Sequence, residues 1–229
     1  MLPYRVNGPI GKVWSAAAQA IANRTSTSAR ARLERDDFTV VCANCWAAEI
    51  YRHLKIPYRT PFVGMFIEAP CYMRMLADLP SYLSASFEWT DRSRYERVNA
   101  KRAADERTYP IGVLRGDAEV HFLHYRTAEE AGERWRRRVE RINWDNLLVS
   151  LVEYGPPERE AAAAYDALPY ERKVLLTPES RPKLACAWRV RGTYDNAVSL
   201  YYQGLPQFDV VAWLNDGTLR RPRSLLRRR

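Results

Sequence analysis

A short β-branched run that passes straight into a helical pattern is the feature that most constrains this chain. Residues 38–42 (FTVVC) are apolar and too few for a helix, and Trp46, Ile50, Tyr51 and Leu54 follow at helical spacing. A buried strand, a tight turn and a helix are therefore expected in succession. The pattern recurs. Residues 61–67 (PFVGMFI) read as a second buried strand, and a helix primed by Pro70 carries Tyr72, Met75, Leu76 and Leu79. Apolar runs at 111–114 and 118–125 flank Arg115-Gly116-Asp117 and predict a hairpin. Thr127-Ala128-Glu129-Glu130 forms a capping box ahead of Ala131, Trp135, Val139 and Ile142, the clearest helix of all. Residues 147–152, 173–177, 184–190 and 208–214 read as further strands, with a helix opened by Pro156-Pro157.

This alternation implies an α/β fold, a three-layer α/β/α arrangement around a mixed, largely parallel sheet. It is Rossmann-like but carries no dinucleotide fingerprint: GxGxxG and the Walker loop are both missing from the sequence. We divide the chain into a helical N-terminal extension (1–35), broken at residues 25–28, a single α/β domain (36–215) and a basic C-terminal tail (216–229). Residues 90–108 are highly charged and read as an exposed insertion or edge helix.

The net charge of +9 is unevenly placed. Arg220, Arg221, Arg223, Arg227, Arg228 and Arg229 supply six charges, and without them the body stands at +3. No specific nucleic-acid surface is expected from such a body, while the arginine tail is suited to peripheral contact with anionic membrane. A run of roughly 18 uncharged apolar residues, the minimum for a spanning helix, does not occur. The Ala-rich stretch 13–22 reads as an amphipathic helix, and four cysteines in a chain of 229 residues suit a reducing cytoplasm, with the inner membrane as a peripheral station.

Open α/β sheets bind ligands beyond the carboxyl ends of their strands, which singles out Ala43-Asn44-Cys45-Trp46. Asn44 is a suitable N-cap, placing Cys45 in the first helical turn, where backbone N–H groups and the positive end of the helix favour a thiolate or hold an oxyanion. The competing reading is a small buried cysteine. His124 and His121 are candidate bases, with a satisfied core histidine as the alternative for either. Cys42, Cys45, His121 and His124 would be the donors of a zinc site, but residues three apart on a strand point to opposite faces, and no metal is expected. Cys42 itself reads as a core residue. His53, near the end of the first helix, is expected either to face solvent or to serve as a dipole-complementing residue at the helix C-terminus. Glu153, at the end of a strand, is placed to orient a histidine, and Asp145 lies in a polar cluster whose role reads as structural.

The segments LERDDFTVVCANCWAAEIYRHLKIPYRTPFVGMFIEAPCYMRML, YPIGVLRGDAEVHFLHYRTAEEAGERWRRRVERINWDNLLV and LPYERKVLLT resemble the bacterial domain-of-unknown-function family 1919, often labelled exopolysaccharide biosynthesis protein. The resemblance runs from about Leu33 to about Thr177. Asn44, Cys45 and Trp46 match the family's Asn-Asn-Cys-Trp-Gly-Gly; Ala47 and Ala48 depart from its paired glycines. Asn44-Cys45 is also similar to a strand-end motif of capsule-biosynthesis acetyltransferases that bind coenzyme A. The family resemblance implies a three-layer α/β fold and a connection with cell-surface polysaccharide, and no particular reaction; the thiol expected at a helix start, by analogy with those acetyltransferases, leads to the expectation of an acyltransferase acting on a glycan or sugar-derived precursor, with a coenzyme A thioester as donor. Cys45 would be its nucleophile, His124 or His121 its base, and Asn44, Trp46, Glu153 and Asp145 its substrate contacts. The alternatives are a glycosyltransferase or sugar-nucleotide enzyme using Asp145, Asp117 or Glu153, and a non-enzymatic membrane-associated assembly module.

Overall fold

In a computed structural model of the chain, residues 25–192 and 196–222 are described. Residues 25–32 are helical. There follow β1 (Thr39–Cys42), α1 (Trp46–Leu54), α2 (Ala69–Ala77), α3 (Leu79–Ser84), β2 (Phe87–Thr90), α4 (Glu96–Ala104), β3 (Ile111–Leu114), β4 (Ala118–His121) and α5 (Ala128–Val139). The second half contributes β5 (Leu147–Val152), α6 (Pro156–Asp166), β6 (Lys173–Thr177), β7 (Ala187–Arg189), α7 (Ala197–Gly204) and α8 (Val210–Asp216).

Among the described residues, β1, β5, β6 and β7 form a wholly parallel sheet in that order, with Val41 opposite Val149 and Leu151 opposite Leu175. Alternation along these strands sends side chains to two cores. Val41, Val149, Leu151 and Leu175 meet Tyr72 and Met75 of α2, Trp135 of α5 and Tyr165 of α6. Val40, Cys42, Leu148, Val152 and Leu176 meet Trp46 and Ile50 of α1, Leu200 of α7 and Trp213 of α8. The sheet is buried on both faces, which is why its strands read as continuous apolar runs rather than alternating ones.

The antiparallel component stands in a sheet of its own, ordered β2-β3-β4. Arg115-Gly116-Asp117 form the three-residue connection, in which Arg115 and Gly116 both take positive φ (52° and 72°) and Asp117 N bonds Leu114 O at 3.2 Å. The outer edge of β1 does not receive this hairpin because it is already closed: the Thr60 hydroxyl donates to Val40 O and the Tyr51 hydroxyl donates to Phe38 O.

Four local expectations are corrected. Residues 61–67 are not a strand; Val63 N bonds Pro61 O at 2.8 Å, Gly64 turns at φ +73°, and the only pairing is a bridge from Phe66 to His121. Residues 208–214 do not form a strand either. There the Asp209 carboxylate accepts Ala212 N and Gly217 closes α8 at φ +80°, so end signals decide what a short apolar run left ambiguous. Residues 25–28 lie within the first described helix, where the Ser26 hydroxyl finds a buried partner in His53 O at 2.5 Å. His53 is itself buried, its Nε2 3.4 Å from Thr25 Oγ1 and its ring edge-on to Tyr201. The stretch 13–22 and the tail from 223 lie outside the described residues.

Candidate functional site

β1 delivers Cys42-Ala43-Asn44-Cys45 to the carboxyl edge of the parallel sheet. The cap position of α1 belongs to Cys45 (φ −72°, ψ 0°), one residue later than expected. Asn44 closes the turn ahead of it, its Oδ1 accepting Trp46 N at 2.9 Å and the Cys42 thiol at 3.3 Å. Cys45 is partly exposed, and its thiol donates to Met65 O at 3.8 Å. Burial of the thiol pushes its pKa up to about 11, aided by Glu49 and Cys42 and opposed only in part by the Gly64 and Met65 backbone. The positive end of α1 does not overcome that desolvation, so the resting group is a neutral thiol. Cys42 is fully enclosed, and burial raises its pKa as well.

The loop that replaces the expected second strand crosses in front of Cys45. His124 N donates to Gly64 O at 3.0 Å, and the Tyr125 hydroxyl donates to Val63 O at 2.7 Å. A Cβ on Gly64 would stand 3.1 Å from His124 Cβ and 3.2 Å from Tyr125 Cε2, so both the positive φ and the crowding demand glycine here. Cys45 and His124 thus border the same turn. The His124 side chain is exposed, although cover on its ring and the charge of Arg107 hold its pKa below the usual histidine range. Behind the turn, Arg138 Nη1 donates to the Tyr125 hydroxyl at 2.5 Å, and its guanidinium lies 5.6 Å from the centre of the Tyr58 ring.

Other candidate residues stand elsewhere or are sealed. His121 ends β4, fully buried and stacked on Phe66 at 4.3 Å. Its Nε2 lies 3.3 Å from Glu119 Oε2, but neither ring nitrogen completes a well-aligned hydrogen bond. β4 stops at His121 because Leu123 N turns back to His121 O, which leaves His124 in a loop rather than at a strand end. Glu153 is buried and held by Arg159 (3.1 Å) and Arg181 (2.7 Å), with no histidine on it. Burial works against its charge, yet Arg181, Thr177 and Arg159 hold its pKa below the usual range. Trp46 is core, packed on Trp213 and Tyr201 beside a space of about 10 Å³ that admits at most one water. Asp145 is exposed in the turn before β5, at the opposite edge of the sheet from Cys45. Asp117 lies in the hairpin turn and accepts from the Tyr82 hydroxyl at 2.9 Å. Among the described residues, no group of three or more His, Cys, Asp and Glu side chains is placed to hold a metal ion.

The model of the family described as domain of unknown function DUF1919 matches residues 16–215. The chain belongs to that family. The DUF1919 match reaches beyond the segments that carried the resemblance, taking in helix 25–32, α7 and most of α8. Those elements supply Ala29, Leu200 and Trp213 to the second core, so they are part of the domain rather than appendages. An uncharacterized protein of Haemophilus influenzae is 27% identical over 219 residues, covering 90% of this chain and 98% of that one.

Sequence reasoning about this DUF1919 chain missed Arg138, Tyr58 and Tyr125. Arg138 sits among Arg136 and Arg137 in the last turn of α5, where a run of arginines reads as a solvated face, but α5 turns this one inward. Residues 90–108 also do more than expected. Ser93 and the Arg94 backbone bond Glu119 at 2.6 and 2.7 Å, and Arg97 pairs with buried Glu68.

Proposed function

We propose that this DUF1919 protein is an enzyme of surface-polysaccharide biosynthesis that transfers an acyl group from a coenzyme A thioester to a glycan or sugar-derived precursor. One observation carries the reading: a partly exposed thiol at the carboxyl edge of a parallel sheet borders the same turn as an exposed histidine. The family resemblance supports the polysaccharide setting. Because the thiol rests neutral, its proton must leave as the bond to the acyl carbon forms, and His124 is the base within that turn. Coenzyme A leaves as a thiol with that proton, and a sugar hydroxyl then takes the acyl group and frees Cys45. His121 is sealed from solvent and has no part in this scheme. No helix among the described residues is long and apolar enough to cross a membrane.

Glycosyl transfer is the second reading. An open cleft of about 570 Å³, lined by Arg92, Asn99, Arg102 and Arg107 beside Asp91 and Glu106, is large enough for a nucleotide. Thermal-shift titrations of acyl-coenzyme A and nucleotide-sugars against the protein and Cys45→Ala separate the two. A ligand at a hundred times its dissociation constant adds about 2.7 kcal/mol of stability. Acyl transfer predicts stabilisation by acyl-coenzyme A together with acyl transfer that Cys45→Ala abolishes. Stabilisation by nucleotide-sugars alone replaces it with glycosyl transfer, and no response to either class leaves a binding module.

A further inference from the structure

We infer that Arg138 is an anion receptor whose guanidinium takes a phosphate group of the substrate at the Cys45 turn. Its side chain is more than nine-tenths buried, at 8% exposure. Among the described residues, each buried acidic side chain holds an arginine or lies beside one: Arg52 pairs with Glu49, Arg94 with Glu119, Arg97 with Glu68, Arg159 and Arg181 with Glu153, and Arg32 and Arg220 with Asp209. Arg138 has no carboxylate in ion-pair reach among the described residues. What it has is the Tyr125 hydroxyl on Nη1 and the face of Tyr58.

A buried cation without a counter-ion is costly, and Tyr125, itself committed to Val63 O, supplies a dipole rather than a charge. The C-terminal end of α5 helps, but a helix-end dipole is a weak substitute for an anion. A purely structural arginine would have its remaining N–H groups satisfied or enclosed. The fully enclosed, unpartnered arginine nitrogens among the described residues are those of Arg74, Arg102 and Arg172, so the Nε and Nη2 edge of Arg138, which carries no hydrogen bond, keeps a narrow contact with solvent in an otherwise buried residue. That edge presents two parallel donors, the fork that fits two oxygens of one phosphate. The Tyr58 hydroxyl, half-buried and with no hydrogen bond among the described residues, adds a third donor.

The same phosphate chemistry is carried by a sugar phosphate acceptor and by the phosphates of coenzyme A. The inference rests on reading the Cys45 turn as the substrate site, and it is independent of whether an acyl group is transferred there. The test uses the full chain and reads binding of inorganic phosphate, glucose 1-phosphate, coenzyme A and pantetheine, the last two with their thiols capped as S-methyl thioethers so that they do not consume the alkylating agent, together with their protection of Cys45 from alkylation at alkaline pH. Phosphate-bearing probes are expected to bind and protect, and pantetheine, which lacks phosphate, to do neither. Arg138→Met should weaken phosphate binding roughly tenfold or more, with Arg138→Lys intermediate because it keeps the charge and loses the fork. Should Arg138→Met fail to fold, Arg138→Lys and Tyr125→Phe carry the comparison. Equal binding by the protein and its folded Arg138 variants overturns the inference, as does failure of every phosphate probe to bind. Acyl-coenzyme A that binds and protects Cys45 regardless of Arg138 would sink the inference and spare the acyl-transfer reading. Glucose 1-phosphate that depends on Arg138, with no response to acyl-coenzyme A, would do the reverse.

Discussion

The hydroxyl of Tyr51 donates to the carbonyl oxygen of Phe38 at 3.0 Å, and that hydroxyl oxygen in turn accepts Val40 N at 3.2 Å. A helix residue thereby replaces the neighbouring strand along the outer edge of β1. Both backbone groups are buried, and an unsatisfied buried donor or acceptor costs about 1–3 kcal/mol. Tyr51→Phe keeps the ring and removes both bonds, so it should destabilise the fold by about 2 kcal/mol, seen as a lower urea midpoint at unchanged slope. An unaltered midpoint would mean that water serves this edge as well as Tyr51 does.

Cys45 should alkylate slowly at neutral pH. With a pKa of about 11, about one thiol in a thousand is ionised at pH 8, against roughly a quarter for an unperturbed cysteine. Iodoacetamide labelling followed by peptide mass analysis should show a Cys45 rate that keeps climbing past about pH 9.5, where ordinary thiols level off. A plateau near pH 8.5 would show that the helix start, not burial, governs the thiol.

The strand-turn-helix that sets Cys45 was legible because β-branched clustering and helical spacing are local signals, and they hold for β1, α1, α5, β5 and β6. Residues 61–67 and 208–214 carry the same apolar character but opposite outcomes, a loop and a helix. Gly64, Asp209 and Gly217 decide them through φ and end-capping. The anion-facing side of the site was not legible, since it depends on which arginine of three α5 directs inward and on a loop that brings Tyr125 and Tyr58 to it. Nothing local distinguishes Arg138 from Arg137.

Acid should destabilise the protein in two stages. Burial holds the His121 pKa below its ordinary value, and Arg102 and Arg97 add to that against the pull of Glu119. The unfolded chain therefore takes the proton first, and this contribution to stability, present above about pH 6.5, starts to be lost there and goes on being lost until pH falls through the lowered pKa of the folded protein. Glu119 runs on a lower window: burial opposes its charge, but contact with His121 and bonds from Ser93 and Arg94 hold its pKa at about 2. Its contribution is lost only as pH falls below the ordinary carboxylate range. Glu49, Glu68 and Glu158 are raised by burial and act in the opposite sense. The clean readout is the difference from His121→Phe, which should narrow or reverse in the variant's favour between about pH 7 and about pH 5. Parallel curves would remove His121 from the acid response.

The basic tail is shorter than the sequence suggests. Asp209 N donates to Arg220 O at 2.9 Å, Arg220 Nε meets Asp209 Oδ2 at 3.3 Å, and Leu219 packs on the second core. Arg220 therefore belongs to the fold, and five arginines remain beyond it. If those arginines attach the protein to anionic membrane, each adds about 1 kcal/mol near the surface at low salt. Deleting residues 222–229 removes four of them and should lower co-sedimentation with phosphatidylserine vesicles by up to about a thousandfold, with little effect on vesicles of neutral lipid. Melting should be unchanged, because the cut falls after Leu219, the last of the described residues packed on the core. Asp209→Ala should do the opposite, lowering the melting temperature through loss of the buried carboxylate that Arg32 and Arg220 share, while leaving vesicle binding intact. Equal vesicle binding by the truncated protein would end the anchoring role and leave the Cys45 turn as the site to pursue.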